Sequence, residues 1–387
     1  MKVTLVSSLV GHGKILHDSG TGIVLLLSKN QKVESVIVLS WKRSSLEQVA
    51  WPGKVLVKEL YSELFPFSVI KILIMAIFEK SDTILFNLMP TAYGRSNISN
   101  FIGLISPIIL RLFFKKKVIV LSHNSTYIND YRSLGYKGFL NYFKAKFVKI
   151  IEFFLFNNVR TFMLSKEYVN TIKQKFPTAA VGYLDLPFFQ VIAPIYINDL
   201  QNHDKIFVEK GRIPRILLFG SWGPQKDPLN ILLALRELRK SGRNFDLTVA
   251  GGINKHFLDL ENHYQNLFKN FKDVIDNLKG YVEEKDIIKL FTSADLVVNS
   301  YVVPGGFSSV LALGMFFERF IVMSDFPEYR EQSNKYDRII FSTASELENS
   351  IKTYLDRIHP TEPMRIEIPI SSRIESMESS LFTCVSE

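Results

Sequence analysis

Three stretches of this sequence join chain-turning residues to groups able to hold an anion. In "LLFGSWGPQKDPLNILLALREL", residues 217–238, a strand-like run ends at Gly220 and a loop carries Lys226 up to Asp227-Pro228, where a helical period begins. Asp at the cap and Pro at the first helical position are a common helix opening. Lys226 is thereby presented at a strand end, where an ammonium can meet a diphosphate. On these residues alone a solvated loop lysine weighs equally. In "PGGFSSVLALGMFFERFIVMSD", residues 304–325, Gly305 and Gly306 precede Ser308 and Ser309 at the mouth of an apolar helix. A helix N-terminus offers unpaired N–H groups and partial positive charge, so Ser308 either adds a hydroxyl to an anion site or caps its own helix. Taken singly, the cap is the stronger reading. The third group is His123, which closes the apolar run "VIVLSH". A neutral imidazole there can donate or accept a hydrogen bond, although a lone His at a strand end is more often structural.

The elements that must position these groups follow one rhythm. "VTLVSS" (3–8), "SVIVLS" (35–40), "KVLVKEL" (54–60), "TILFNL" (83–88), "VIVLSH" (118–123) and "TFMLS" (161–165) read as buried strands. Helically spaced segments such as 67–80 and 143–158 lie between them. Such alternation predicts a doubly wound α/β domain with a mostly parallel sheet. Residues 184–213 lose the period, and a second alternation then runs through 215–220, a helix 228–240, strand 246–252, a helix near 255–270, "GYV" (280–282), a helix 284–294, strand 295–300, the helix after Ser308, strand 320–325 and a last helix near 344–357. The expected division is a first Rossmann-like domain over 1–185, a linker over 186–213, a second over 214–360, and a tail over 361–387 that crosses back to the first. Two such domains are expected to face each other across a deep cleft at the carboxyl ends of their sheets, where ligands of this fold class bind.

Composition narrows the field. A chain of 387 residues with 47% hydrophobic content and 31 Phe fits two packed domains and excludes disorder. Its single Cys384 provides no disulfide framework and favours a reducing, cytoplasmic setting. No signal-like start and no apolar run of about 18 residues is seen. The net charge of +9 is concentrated: between Phe101 and Arg160 ten Lys/Arg face only Asp130 and Glu152. These cations sit beside Phe, Leu and Ile in "FIGLISPIILRLFFKKK" and "FKAKFVKIIEFFLFNN", which points to a peripheral contact of 101–160 with an anionic membrane surface. The alternative is a pair of ordinary helices with solvated basic outer faces. No motif supports nucleic acid. There is no Asp-x-Asp pair and no Cys/His cluster with metal spacing, so no metal is expected.

The ordered set of motifs resembles the nucleotide-sugar domain of GT-B fold glycosyltransferases, in particular the retaining family 4 (group 1) enzymes. "LLFGSWGPQKDPLNILLAL" is similar to that family's strand–loop–helix with its loop lysine, "LTVAGG" to its next strand, "LKGYVEEKDIIKLFTSADLVVNSY" to its "G-x-V…A-D" block, and "GGFSSVLALGMFFERFIVMSDFPEYRE" to its glycine-rich helix and following strand. In the first half "VIVLSHNS" resembles the strand ending in the family's active-site His, and "TFMLSKEYVNTI" its strand-to-helix turn; the likeness is thin over residues 1–80.

What the resemblance implies is a metal-independent, retaining transfer of a hexose from a UDP- or GDP-sugar to a glycan or lipid-linked glycan, the first domain binding the acceptor. Lys226, Gly306, Phe307, Ser308, Ser309 and Val310 would hold the donor diphosphate, with Gly220 and Ser221 in the Lys226 loop and Gly11 and Gly13 opposite. The backbone of Gly280, Tyr281 and Val282 would hold the base. His123 would touch the transferred sugar, and His123 and Lys226 are the catalytic candidates. The chain departs from the pattern at the family's two glutamates, which fall on Gly305 and Leu313, at its loop arginine (Ser221), at its helix-ending glycine (Glu318) and at the next proline (Phe320). Two other readings therefore stand beside the enzyme: a catalytically silent glycosyltransferase-like binding subunit, and a sugar-nucleotide epimerase on the same fold.

Overall fold

The computed structural model describes residues 1–7, 19–41, 53–61, 65–88, 97–128, 139–184, 213–254, 257–303, 306–333, 336–357, 381–383 and 385–386. The linker and most of the tail expected from the sequence lie outside these residues.

Two compact units divide the chain. The first holds β1 (Lys2–Val6), β2 (Ser35–Trp41), β3 (Val55–Tyr61), β4 (Thr83–Leu88), β5 (Val118–Ser122), β6 (Arg160–Met163) and β7 (Val181–Tyr183). They form one parallel sheet in the order β3-β2-β1-β4-β5-β6-β7, with Val3–Val6 registered against Val36–Leu39 on one side and Thr83–Phe86 on the other. A parallel sheet is covered on both faces, which is why β4 and β5 are buried at every residue and read as unbroken apolar runs. One face packs α2 (Ile70–Phe78), α3 (Asn97–Leu112), α4 (Phe139–Asn158) and α5 (Lys166–Lys175) through Ile72, Leu104, Ile151, Leu155 and Ile172. The other face packs α1 (Ser19–Lys29) together with Leu381 and Val385 from the end of the chain. That terminal segment is fixed to the sheet by Thr83 Oγ1 donating to the Val385 carbonyl at 3.1 Å.

The second unit repeats the plan. Strands β8 (Arg215–Phe219), β9 (Asp246–Ala250), β10 (Asn277–Lys279), β11 (Leu296–Asn299), β12 (Phe320–Ser324) and β13 (Ile339–Ser342) form a parallel sheet of order β10-β9-β8-β11-β12-β13. Its helices are α6 (Pro228–Lys240), α7 (Glu261–Asn270), α8 (Glu284–Ser293), α9 (Ser309–Phe316), α10 (Pro327–Ser333) and α11 (Leu347–Arg357). The start of α6 is the one its residues dictate: Asp227 accepts from the Asn230 amide at 3.2 Å and Pro228 takes the first turn. Ile231, Leu232, Leu235 and Leu238 then recur at helical spacing against β8 and β9.

Both sheets follow the Rossmann strand order, so each has a switch point beside its first strand where neighbouring crossovers run in opposite directions. In the second unit that point lies between β8 and β11. The loops following these strands carry Lys226 and Ser308.

The structure corrects some details. The strand expected at 280–282 is Asn277–Lys279, because the Gly251 amide reaches both the Lys279 and Gly280 carbonyls and the chain turns away there. The sequence reading did not anticipate β7, α10 or β13, which are three, seven and four residues long. Periodicity has too few residues to work with in elements of that size.

The end of α9 explains one departure from the family pattern. The Arg319 amide bonds the Gly314 carbonyl at 2.8 Å and the Glu318 amide bonds Met315 at 3.1 Å, the two hydrogen bonds of a Schellman cap. The cap demands a left-handed residue, and Glu318 supplies it at φ 53° without being glycine. Glu318→Gly is therefore expected to stabilise the protein by about 1 kcal/mol. Urea denaturation should show a higher midpoint at unchanged slope; a lower midpoint would mean that the Glu318 side chain contributes more than its backbone costs.

Candidate functional site

The loop after β8 is shaped by two glycines, of which Gly251 admits no side chain. Gly251, at the end of β9, has φ 128°, and a Cβ there would lie 1.7 Å from the Gly220 carbonyl oxygen. Gly220 in turn would place a Cβ 3.1 Å from the Lys226 Nζ. The buried Trp222 pins the loop, its indole N–H donating to the Gly251 carbonyl at 3.1 Å and its amide to Gly252 at 2.9 Å. The chain then turns back, Lys226 N to Gly223 O at 2.9 Å, and pairs with the loop after β11 through an antiparallel bridge between Lys226 and Tyr301. The two loops of the switch point are thus sewn together by backbone.

That path buries the Lys226 side chain, only 7% exposed, and rules out the solvated-loop alternative. Its ammonium donates to Asn299 Oδ1 at 2.8 Å and to the Tyr301 hydroxyl at 2.7 Å. Asn299 and Tyr301 alternate along an extended chain and so meet the same ammonium. The Tyr301 hydroxyl lies 3.2 Å from Ser308 Oγ, linking the lysine to the mouth of α9. Burial pulls the Lys226 pKa down, a shift that Tyr301 partly opposes. Among the described residues no carboxylate forms an ion pair with it. A desolvated cation held by neutral oxygens is stabilised by any anion that reaches it.

Ser308 turns out to be a cap and a neighbour of Lys226 at once. Its hydroxyl accepts from the Leu311 amide at 3.3 Å. Its backbone is clamped by Gln332 of α10: Ser308 N donates to Oε1 at 2.9 Å, and Nε2 donates to the Ser308 carbonyl at 2.8 Å. Gly306, just before the helix, takes the left-handed turn at φ 81°. Ser308 N is therefore engaged, and the helix presents the amides of Ser309 and Val310, beside Phe307, as its first-turn donors. Leu313 is fully buried, so no carboxylate stands where the family has its second glutamate; Gly305, Gly11 and Gly13 lie outside the described residues. Ser221 is exposed at the start of the loop. Gly280 follows β10, Tyr281 is two-thirds exposed and packs beside Gly252, and Val282 is half-buried.

The first unit builds a different site at the ends of β1, β4 and β5. Asn87 of β4 turns its amide N–H groups to Ser7 Oγ at 3.0 Å and Ser19 Oγ at 2.9 Å. Its Oδ1 is left to accept from His123 Nε2 at 2.6 Å, which places a proton on Nε2. Desolvation by burial lowers the His123 pKa to about 4. The segment behind it is held by Glu152 of α4, which accepts from Ser125 Oγ at 3.0 Å, the Thr126 amide at 3.0 Å and Thr126 Oγ1 at 2.5 Å. Glu152 is buried, and desolvation raises its carboxyl pKa to about 7 against the pull of those hydrogen bonds.

Lys226, Gly220, Ser308 and Ser309 are thus brought together, and His123 stands in a separate cluster of the first unit. Asn87, Glu152, Asn299, Tyr301 and Gln332 were not found by sequence reasoning. Only Asn299 and Tyr301 left a signal, two polar residues in alternation directly after an apolar strand. No group of three or more metal-ligating side chains occurs among the described residues.

No protein-family model matches the sequence, and no curated protein matches it. Solved structures do. Anabaena HepE, crystallised with UDP and glucose, is 13% identical over 100% of this chain and 97% of its own, with a TM-score of 0.66. Sucrose-phosphate synthase from Thermosynechococcus elongatus is 11% identical over 99% and 95%, TM-score 0.65. WaaG, a glycosyltransferase involved in lipopolysaccharide biosynthesis, is 13% identical over 98% and 94%, TM-score 0.58. The likeness spans the whole chain and establishes its architecture: this protein has the GT-B fold, two Rossmann-like domains in one polypeptide.

The buried Glu152 and the half-buried His123 predict an offsetting pH response in the first unit. Glu152 has its folded pKa raised, from 4.5 to about 7, so the stability it contributes is present below pH 4.5 and is lost as pH rises through 7, on the order of 3 kcal/mol. His123 has its folded pKa lowered, from 6.5 to about 4, so its contribution is present above pH 6.5 and is lost as pH falls toward 4. Between pH 4.5 and 6.5 the two slopes oppose each other. Thermal melts of Glu152→Gln should fall more steeply with acid than those of the wild type; identical pH profiles would show that Glu152 does not titrate there.

Proposed function

We propose that this protein is a glycosyltransferase that takes a sugar, a hexose by preference, from a nucleotide diphosphate donor and passes it to a glycan or lipid-linked glycan hydroxyl. The observation that carries this reading is the buried Lys226 ammonium, fixed between Asn299 and Tyr301 one hydroxyl away from the N-terminus of α9. In the reaction the bond between the anomeric carbon and the diphosphate oxygen breaks, and negative charge grows on the departing nucleoside diphosphate. An ammonium and helix amides already aimed at that charge stabilise it without reorganising, which lets the transfer run without a metal. The acceptor hydroxyl supplies the nucleophile; its proton leaves with the diphosphate oxygen, and attack on the leaving-group face retains the anomeric configuration. His123, neutral at working pH, is assigned the contact with the transferred sugar that the resemblance implies. HepE, crystallised with UDP and UDP-glucose, supports a UDP-linked donor, and WaaG, from lipopolysaccharide biosynthesis, supports a glycan acceptor. We place the protein in the cytoplasm, at the inner membrane face.

One observation favours a second reading. Leu313 is fully buried where the family has a carboxylate, which suits a donor-binding subunit that has given up catalysis. Calorimetry against UDP-, GDP- and dTDP-sugars, followed by donor turnover with and without acceptor glycans, separates the two. The enzyme binds and releases nucleoside diphosphate, the silent subunit binds only, and an epimerase converts the donor alone. Lys226→Ala is expected to weaken donor binding about 30-fold, the loss of a charge-assisted hydrogen bond, and Tyr301→Phe only a few-fold. Unchanged affinity in Lys226→Ala would refute the proposed site.

A further inference from the structure

We propose that the outer face of α2, α3 and α4 is a docking surface for anionic phospholipid bilayers. The inference rests on the first unit alone and does not depend on the transferase reading. A helix that covers a sheet usually turns polar residues outward. Here α4 buries Val148, Ile151, Leu155 and Phe156 against the sheet and yet presents Phe143, Phe147, Ile150 and Phe154 to solvent, each about half exposed. Those four recur at intervals of four, three and four residues, one continuous stripe along the helix. On α2 and the turn before it the exposed apolar residues are Phe67, Ile70, Ile74 and Phe78, again one stripe, with Phe78 76% exposed. Helix α3 ends in exposed Leu112, and exposed Phe113 and Phe114 follow it, with Phe113 77% exposed.

The three helices are neighbours. Phe101 of α3 stacks on Phe147 of α4 with ring centroids 5.0 Å apart. Lys116, after α3, donates to the Glu79 carbonyl at the end of α2 at 3.1 Å. The exposed apolar groups therefore belong to one helical layer, more than a monomer in water ordinarily leaves uncovered.

Charge decides what covers it. Residues 66–80, 97–117 and 139–158 carry nine Lys/Arg and two acids, Glu79 and Glu152. Glu79 is tied to Lys58 at 2.8 Å and Glu152 is buried, so neither offsets the exposed cations Lys71, Lys80, Arg111, Lys115 and Lys146. A second copy of this chain meeting the same face would set like charges against each other. Nucleic acid would meet the cations but leave the isoleucines and Leu112 without a partner. An anionic bilayer satisfies both, phosphates meeting the cations while the aromatic and aliphatic groups enter the headgroup boundary. The contact is peripheral, since no helix among the described residues is long and apolar enough to cross a membrane.

The test is flotation of the full-length protein with vesicles of phosphatidylcholine alone or with roughly a third phosphatidylglycerol. The wild type should float with the anionic vesicles only and lose binding as salt rises. Replacing Lys71, Lys115 and Lys146 by Gln should lower the partition coefficient about 100-fold. Phe78→Ser with Phe113→Ser should lower it about 10-fold or more, with the thermal midpoint unchanged because both rings are exposed. Leu258→Ser, an exposed apolar residue of the second unit, serves as the control and should bind as the wild type does. No flotation with anionic vesicles, or flotation indifferent to these changes, would overturn the proposal. So would a wild-type dimer in sedimentation velocity that Phe113→Ser abolishes, or tighter binding to a single-stranded oligonucleotide than to vesicles.

Discussion

A lysine taken out of water is an unstable tenant unless something negative answers it. Around Lys226 the second unit arranges itself to tolerate that condition: Gly220 gives up its side chain to make room, Gly251 gives up its own so that β8 and β9 can approach, and Asn299 and Tyr301 lend neutral oxygens to the ammonium. Neutral partners lower the cost of burial without cancelling the charge. Pairing the lysine with an internal carboxylate would have made a quieter structure and a poorer anion site. The loops of the switch point and the clamp of Gln332 on Ser308 surround a charge that is buried with no ion-pair partner among the described residues.

The first unit uses the same topology for the opposite purpose. Its strand ends gather Ser7, Ser19, Asn87 and His123 into a network in which nothing need be charged, and the imidazole is held neutral by burial. Glu152 steadies the segment behind His123 from α4, the helix whose outer stripe carries the exposed aromatics. One sheet order thus gives a cationic site in one unit and a neutral hydrogen-bonding site in the other, because the loops differ while the scaffold does not.

Much of this was legible in the sequence, for reasons that differ by residue. Doubly buried strands such as "TILFNL" and "VIVLS" announce themselves as apolar runs, and Asp227-Pro228 announces α6, because those signals are local. Lys226 and Ser308 were visible as turn-and-helix chemistry, and the resemblance implied that they meet, but the route of that meeting was not legible, since it passes through Tyr301 in another loop. Gln332 was invisible for the same reason: an amide that clamps a backbone two elements away leaves no pattern. The left-handed Glu318 hid behind a side chain that ordinarily avoids φ 53°, and only the Schellman hydrogen bonds reveal it. The outer face of α4 showed itself only as aromatic and aliphatic residues beside the lysines of 143–158; which of them face outward was hidden, because a helix apolar on two faces has little amphipathic period left to detect.

The central claim is that Lys226 exists to hold a diphosphate, and the most direct measurement varies the lysine and the phosphates together. Calorimetric affinities of UDP and of uridine would be compared for the wild type and for Lys226→Met, which keeps the side chain's bulk and removes its charge. The account predicts a wild-type preference for UDP that falls about 30-fold in Lys226→Met while uridine binds both alike. An equal loss for both ligands, or a preference that survives the substitution, would contradict it.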